Sequence, residues 1–169
     1  MNPLRHLSYL FRLLMVVILL VTVMHSGAAE SADEAIPAPN FELTGLDGKA
    51  IALKQYKGKV VVLNFWGTWC TPCRKETPDL VAVQKQFADQ GLIVIGVAMD
   101  RSNQAGVQTF AKKYLVNYPI VIANSTLNHD YGVIVAPTTF IIDKSGKIVY
   151  RHIGALTRQE LAQQIARLL

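Results

Sequence analysis

The run KVVVLNF, Lys59 to Phe65, places Asn64 as its one polar residue after the opening lysine. A strand with one wet face would alternate polar and apolar residues. This one does not, so it belongs in a strand covered on both sides. LIVIGVAM, Leu92 to Met99, is a second run of the same kind. Between them, from Cys70 to about Asp89, Leu80, Val81, Val83 and Phe87 fall at helical spacing. Two buried strands separated by a helix must sit in a sheet that other helices cover, because neither face is fit for water.

The rest of the chain extends that unit. FELTGLDGKAIAL places two short apolar runs around Asp47-Gly48, a hairpin signal. Gln104 to Tyr114 reads as a helix, with Val107, Phe110, Ala111 and Tyr114 on one face. Ile120 to Ala123 reads as a short strand, and Leu127 to Tyr131 as a turn of helix. TTFIID and KIVYRHI flank Asp143-Lys144-Ser145-Gly146 as a second hairpin. Thr157 to Leu169 closes the chain as a helix. Thr157 and Glu160 form a capping box there, and Leu161, Ile165 and Leu168 form its buried stripe. Strand and helix alternation ending in an antiparallel hairpin predicts an α/β fold with a central mixed sheet flanked by helices.

The leader sets the compartment. Residues 1–29 carry Arg5 and Arg12 but no acid, then the 12-residue stretch Leu13 to Met24, then Ser26, Gly27, Ala28 and Ala29. That order is a secretory signal peptide. Its apolar stretch is shorter than the roughly 18 residues of a membrane span. Counting back through Arg12 to Leu7, with the arginine snorkelling, makes it an uncleaved N-terminal membrane anchor. Both readings export the chain, to the periplasm or the outer face of the cytoplasmic membrane. Residues 30–40, ESADEAIPAPN, read as a partly disordered linker, and residues 41–169 as one folded domain. Setting the leader arginines aside takes the formal charge from +5 to +3. The basic residues form no run, so a nucleic-acid partner is not expected.

Both cysteines of the chain, Cys70 and Cys73, stand in GTWCTPC, where a buried strand gives way to a helix. A structural staple is a poor reading, because so short a loop constrains the unfolded chain little. A structural zinc site wants four ligands. Only two thiols exist, and His129 and His152 lie far off in sequence as surface residues, so no metal is expected. The third reading is a redox couple. Residues i and i+3 of a helix lie close enough to close a disulfide with little backbone movement. The helix N-terminus stabilises a thiolate at Cys70, the expected exposed nucleophile. Cys73, one turn inside, is the expected resolving thiol. Pro72 suits helix entry, having no N–H to lose there. Thiol–disulfide exchange by such a pair needs no metal or organic cofactor.

FWGTWCTPC resembles the thioredoxin-fold active site, and APNFELTGLDGKAIALKQYKGKVVVLNFWGTWCTPCRKETP is similar to the TlpA-like/ResA-like branch of that superfamily. The resemblance spans nearly all of 39–169. It implies a thioredoxin-like fold with an extra N-terminal β-hairpin, and an extracytoplasmic thiol-disulfide oxidoreductase acting as a monomer. Cys70 and Cys73 match the nucleophile and resolving cysteine, and Trp66 and Trp69 the preceding aromatics. Trp66 reads as core, while Trp69, with Thr71 and Pro72 of the motif, borders the substrate-docking surface. Pro78 matches a helix-kinking proline. Val135 to Thr139 matches the loop whose cis-proline, here Pro137, aims the Ala136 backbone at a bound peptide. Glu76 matches an acidic residue common in this branch. Its two readings are a group that tunes a cysteine or relays protons, and a solvated first-turn glutamate. Asn64 departs from thioredoxin, which has a buried aspartate there.

The implied partners are protein disulfides, with apocytochrome c as the suggested class, and a membrane thiol-electron donor. The membrane itself is met only through the N-terminal segment. Two alternatives are a thiol peroxidase and a non-catalytic binding module. The peroxidase needs Pro-x-x-x-Thr-x-x-Cys, and Leu63 and Gly67 stand at those positions.

Overall fold

The computed structural model describes residues 35–169, so the signal or anchor reading of 1–29, and the start of the linker, lie outside the described residues. The strands are β1 (Ile36–Pro37), β2 (Glu42–Thr44), β3 (Ala50–Ala52), β4 (Val60–Trp66), β5 (Leu92–Ala98), β6 (Ile120–Ile122), β7 (Thr138–Ile142) and β8 (Lys147–Ile153). The helices are α1 (Thr71–Phe87), α2 (Gln104–Lys113), α3 (Ser125–Asp130) and α4 (Arg158–Ala166).

Six strands form one mixed sheet in the order β1-β8-β7-β4-β5-β6. β4 pairs parallel with β5, and β5 with β6, while β4–β7, β7–β8 and β8–β1 are antiparallel. The reading of β4 as a strand covered on both sides holds, since every residue from Val60 to Trp66 is buried. One face of the sheet, through Val60, Val62, Val94 and Ile141, packs against Leu80 and Val83 of α1 and Leu161 and Ile165 of α4. The other face, through Val61, Leu63, Phe65 and Ile142, packs against Leu127 of α3, Tyr131 and Ile51 of the hairpin. Leu168, expected in the α4 stripe, is only partly buried, because α4 ends at Ala166.

The hairpin β2–β3 is a separate two-stranded sheet, tied to the edge of β6 by a Gly45–Val121 bridge and by the Leu46 N–H donating to Ile120 C=O. One boundary differs from the sequence reading. Ile36 and Pro37, inside the segment read as linker, pair with Ile148 and Lys147 of β8, and the Ala38 N–H donates to Gly146 C=O. The ladder thus starts before Phe41, because an edge strand accepts any extended backbone, whatever its side chains. α3 also starts earlier than expected, since the Asn124 side chain caps it by accepting the Leu127 N–H at 2.7 Å.

The capping box of α4 is present. Thr157 Oγ1 accepts the Glu160 N–H at 3.3 Å, and Glu160 Oε2 accepts the Thr157 N–H at 2.8 Å. Thr157→Ala removes the first bond and is expected to cost about 1 kcal/mol. Urea unfolding measures this, and an unchanged midpoint would count against the cap.

Candidate active site

The C-terminal end of β4 and the N-terminus of α1 meet at Cys70. This residue is the helix N-cap, with extended backbone, and its Sγ accepts the Cys73 N–H at 3.2 Å. Cys70 and Cys73 are joined as a disulfide with Cα atoms 5.3 Å apart. Pro72 stands in the first turn, and Thr71 and Pro72 are exposed. The expected exposure of Cys70 is corrected: Cys70 is 3% exposed and Cys73 1%. The bond and the cap both turn the Cys70 sulfur inward, where Trp66, Phe110 and Ala136 pack around the pair. The adjacent Trp69 is instead 59% exposed.

The turn between β4 and α1 is held from β5. The Met99 N–H donates to Trp66 C=O at 2.7 Å, and the Cys70 N–H to Gly67 C=O at 3.1 Å. A Cβ at Gly67 would sit 2.5 Å from the Trp69 indole, so glycine lets that ring lie close over the turn. Just past β5, Asp100 accepts the Thr68 N–H at 2.9 Å and the Thr68 hydroxyl at 2.5 Å.

Glu76 is not the solvated first-turn residue of the second reading; it is 1% exposed. Oε2 accepts from Asn64 Nδ2 at 3.1 Å, and Oε1 accepts the Leu156 N–H at 2.9 Å. Asn64 Nδ2 also donates to Thr139 Oγ1 at 2.9 Å. The carboxylate therefore ties α1 to β4, to β7 and to the β8–α4 connection. Burial raises its pKa to about 7, against the lowering by its two hydrogen bonds. Burial and then the Glu76 charge push the Tyr118 phenol up as well. Neither hydrogen bond to Glu76 comes from a cysteine.

The peptide bond between Ala136 and Pro137 is cis, as the resemblance implies. The Pro137 C=O accepts the Gly154 N–H at 2.9 Å, and the Thr138 hydroxyl donates to Val135 C=O at 2.7 Å. Ala136 packs against the cysteine cluster, while Ile134 and Val135 point large apolar side chains at solvent. Ile153, opposite Thr138 in the β7–β8 register, is exposed too. Trp69, Ile134 and Val135 are thus exposed apolar side chains of the segments that carry the disulfide and the cis-proline, and Ile153 is one on the adjoining β8. Pro78 lies inside α1 as expected.

The sequence profile of the AhpC/TSA family matches residues 35–151. The chain belongs to that family. Within it, the chain is 40% identical over 132 residues to thiol-disulfide oxidoreductase ResA of Bacillus thuringiensis subsp. konkukian, covering 78% of this chain and 76% of the relative. It is 44% identical over 129 residues to ResA of Bacillus subtilis, covering 76% and 72%. Among solved structures, a thiol:disulfide interchange protein of the thioredoxin family from Chlorobium tepidum superposes with a TM-score of 0.74 at 32% identity, covering 80% of this chain and 97% of that one. The chain is accordingly a thioredoxin-like thiol-disulfide oxidoreductase of the AhpC/TSA family, with the mixed sheet and flanking helices that the fold requires.

The sequence reading singled out the motif and the cis-proline loop. Cys70, Cys73, Trp69, Thr71 and Pro72 lie together at the head of α1, and Ala136, joined by its cis bond to Pro137, packs against the cysteine cluster. What it missed is the support. Asp100, Thr139 and the Leu156 N–H carried no local signal beyond the position of Asp100 at the C-terminal end of a buried strand, where α/β folds gather functional groups.

Proposed function

We propose that the protein is an extracytoplasmic disulfide reductase of protein substrates, working as a monomer through Cys70 and Cys73. The observation that carries it is the pair itself, a disulfide capping α1 beneath a cis-proline loop with an apolar rim. In the dithiol form, the Cys70 thiolate attacks one sulfur of the substrate disulfide. A Cys70–substrate bond forms, the substrate disulfide breaks, and the other substrate sulfur leaves as a thiolate and takes up a proton. The Cys73 thiolate then attacks Cys70 Sγ, closing the Cys70–Cys73 bond and releasing the reduced substrate with two electrons. A dithiol donor at the membrane restores the pair. Trp69 and the exposed Ile134 and Val135 offer apolar contact to an extended substrate segment, with the Ala136 backbone beside the sulfurs.

What surrounds the sulfurs supports this direction. Burial disfavours thiolates, and the Glu76 carboxylate, three residues past Cys73 on α1, opposes a second negative charge. Both effects favour the disulfide over the dithiolate, which is what a reductant needs. Glu76, one turn past Cys73 on α1 and with a pKa of about 7, is the base we assign to the proton that Cys73 must lose. The suggested substrate is apocytochrome c, whose Cys-x-x-Cys-His motif forms a short exposed disulfide. Export rests on the order of charge, apolar stretch and small residues in 1–29.

Equilibrating the protein with glutathione while following tryptophan emission tests the direction. Trp66 packs in one cluster with both cysteines, so its emission reports on the pair. The expected midpoint lies well below that of glutathione, and a midpoint above it would make the protein an oxidant instead.

A further inference from the structure

Asp100 lies outside the motif, and none of the steps above uses it. Its carboxylate is 8% exposed, and among the described residues no lysine, arginine or histidine pairs with it. A buried acid is costly unless its oxygens are well satisfied. Here both serve one residue: Oδ2 takes the Thr68 N–H and Oδ1 takes the Thr68 hydroxyl. Two bonds from one residue to one carboxyl group fix the geometry of that residue as well as adding energy.

Thr68 occupies the middle of the turn that leaves β4 and delivers Cys70 to the N-cap of α1. Inside that turn the only backbone bond is Cys70 N–H to Gly67 C=O. Gly67 leaves the backbone freer than any other residue would, and Trp69 next to Cys70 is largely exposed. The turn is therefore weakly determined from within, and Asp100 fixes it from the neighbouring strand.

We infer that Asp100 is a positioning residue for thiol–disulfide exchange: by clasping Thr68 at both N–H and hydroxyl, it sets Cys70 Sγ over the first turn of α1, within reach of Cys73. This rests on the exchange chemistry proposed above and adds what aims the nucleophile. The step it acts on is the second one, in which the Cys73 thiolate attacks Cys70 Sγ, the Cys70–Cys73 bond forms and the substrate sulfur departs as thiolate. Loosening the turn lets Cys70 swing away and lowers the effective concentration of one sulfur at the other.

The test is the equilibrium constant of the full chain with reduced and oxidised glutathione, read by acid-quenched alkylation and mass measurement. Asp100→Ala is expected to shift the constant toward the dithiol by about tenfold, and Thr68→Val by about threefold. The double variant should shift it no further than Asp100→Ala alone, because both changes break one clasp. Asp100→Asn should restore the constant to within about twofold, since its Oδ1 accepts the Thr68 N–H and its Nδ2 donates to Thr68 Oγ1. A merely structural role would lower the unfolding midpoint of the dithiol and disulfide forms alike and leave the constant unmoved, and that result overturns the inference. Should Asp100→Ala not fold, Thr68→Val decides, and an unshifted constant there overturns it equally. A wild-type protein that does not exchange with glutathione sinks the functional reading and this inference together. A wild type that exchanges, with variants indistinguishable from it, sinks the clasp alone.

Discussion

Cys73→Ser is expected to accumulate a covalent adduct between Cys70 and a disulfide substrate, and to lose turnover by on the order of a thousandfold or more. The reason is the division of labour at the head of α1. Serine at 73 leaves Cys70 at the N-cap, where the helix end stabilises its thiolate, so the first attack proceeds. The hydroxyl cannot displace the substrate sulfur, and the mixed disulfide persists. Cys70→Ser should form no adduct, since Cys73 is buried and stands inside the helix rather than at its N-cap. A synthetic peptide holding an intramolecular Cys-x-x-Cys-His disulfide serves as substrate, with the adduct read as a mass gain that dithiothreitol removes. A binding module that merely borrows the fold would behave alike in wild type and variant. A thiol peroxidase would consume peroxide with excess thiol, yet the required proline and threonine are replaced by Leu63, buried in β4, and Gly67. Unchanged turnover in Cys73→Ser, with no adduct, would remove the resolving role from this residue.

How far the sequence speaks depends on the range of each interaction. The β4 and β5 runs are legible because double-sided burial leaves no polar alternation, and the strands form where the runs stand. The α4 capping box is legible because its partners are three residues apart. The cis state of Pro137 came from the likeness of Val135 to Thr139 to a known loop, and nothing local to the segment dictates it. The Glu76 network is different in kind. Asn64 lies 12 residues from Glu76 and 75 from Thr139, and Leu156 lies 80 from Glu76. Only the closing of β7 onto β4 and of α4 onto α1 brings them together, so a helical position alone left Glu76 between two readings. Asp100 and Thr68, 32 residues apart, meet for the same reason. The exposure expected for Cys70 failed because helix-terminal position says where a side chain starts, not whether Ala136 and Trp66 will cover it.

The buried network makes a second large effect calculable. Glu76 titrates near 7 in the folded protein, chiefly because burial disfavours its charge, with Asp79 adding to the rise and the bonds from Leu156 and Asn64 opposing it. In the unfolded chain it titrates near the ordinary glutamate value of about 4.3. Between those values the folded state holds more protons, so stability is greatest below the unfolded value and falls as pH rises through about 7. The loss on ionisation amounts to about 3 kcal/mol. Glu76→Gln cannot ionise. Its amide oxygen can accept the Leu156 N–H, and its NH2 can donate to Asn64 once that amide turns its oxygen inward, where the Thr139 hydroxyl can donate as well. The variant should therefore match wild type at pH 5 and exceed it by about 2–3 kcal/mol at pH 8, measured by urea unfolding of the disulfide forms. The same substitution removes a negative charge one turn past Cys73 on α1, so above pH 7 its glutathione equilibrium should move toward the dithiol. The two readouts decide jointly what the carboxylate is for. A variant more stable at pH 8 but a weaker reductant means that the fold bears an ionised Glu76 because the redox pair uses it. Equal stability across pH 5 to 8, or a less stable variant at pH 8, would mean that the bonds from Asn64 and Leu156 hold the carboxylate charged without cost, leaving burial of the sulfurs as the source of reducing power.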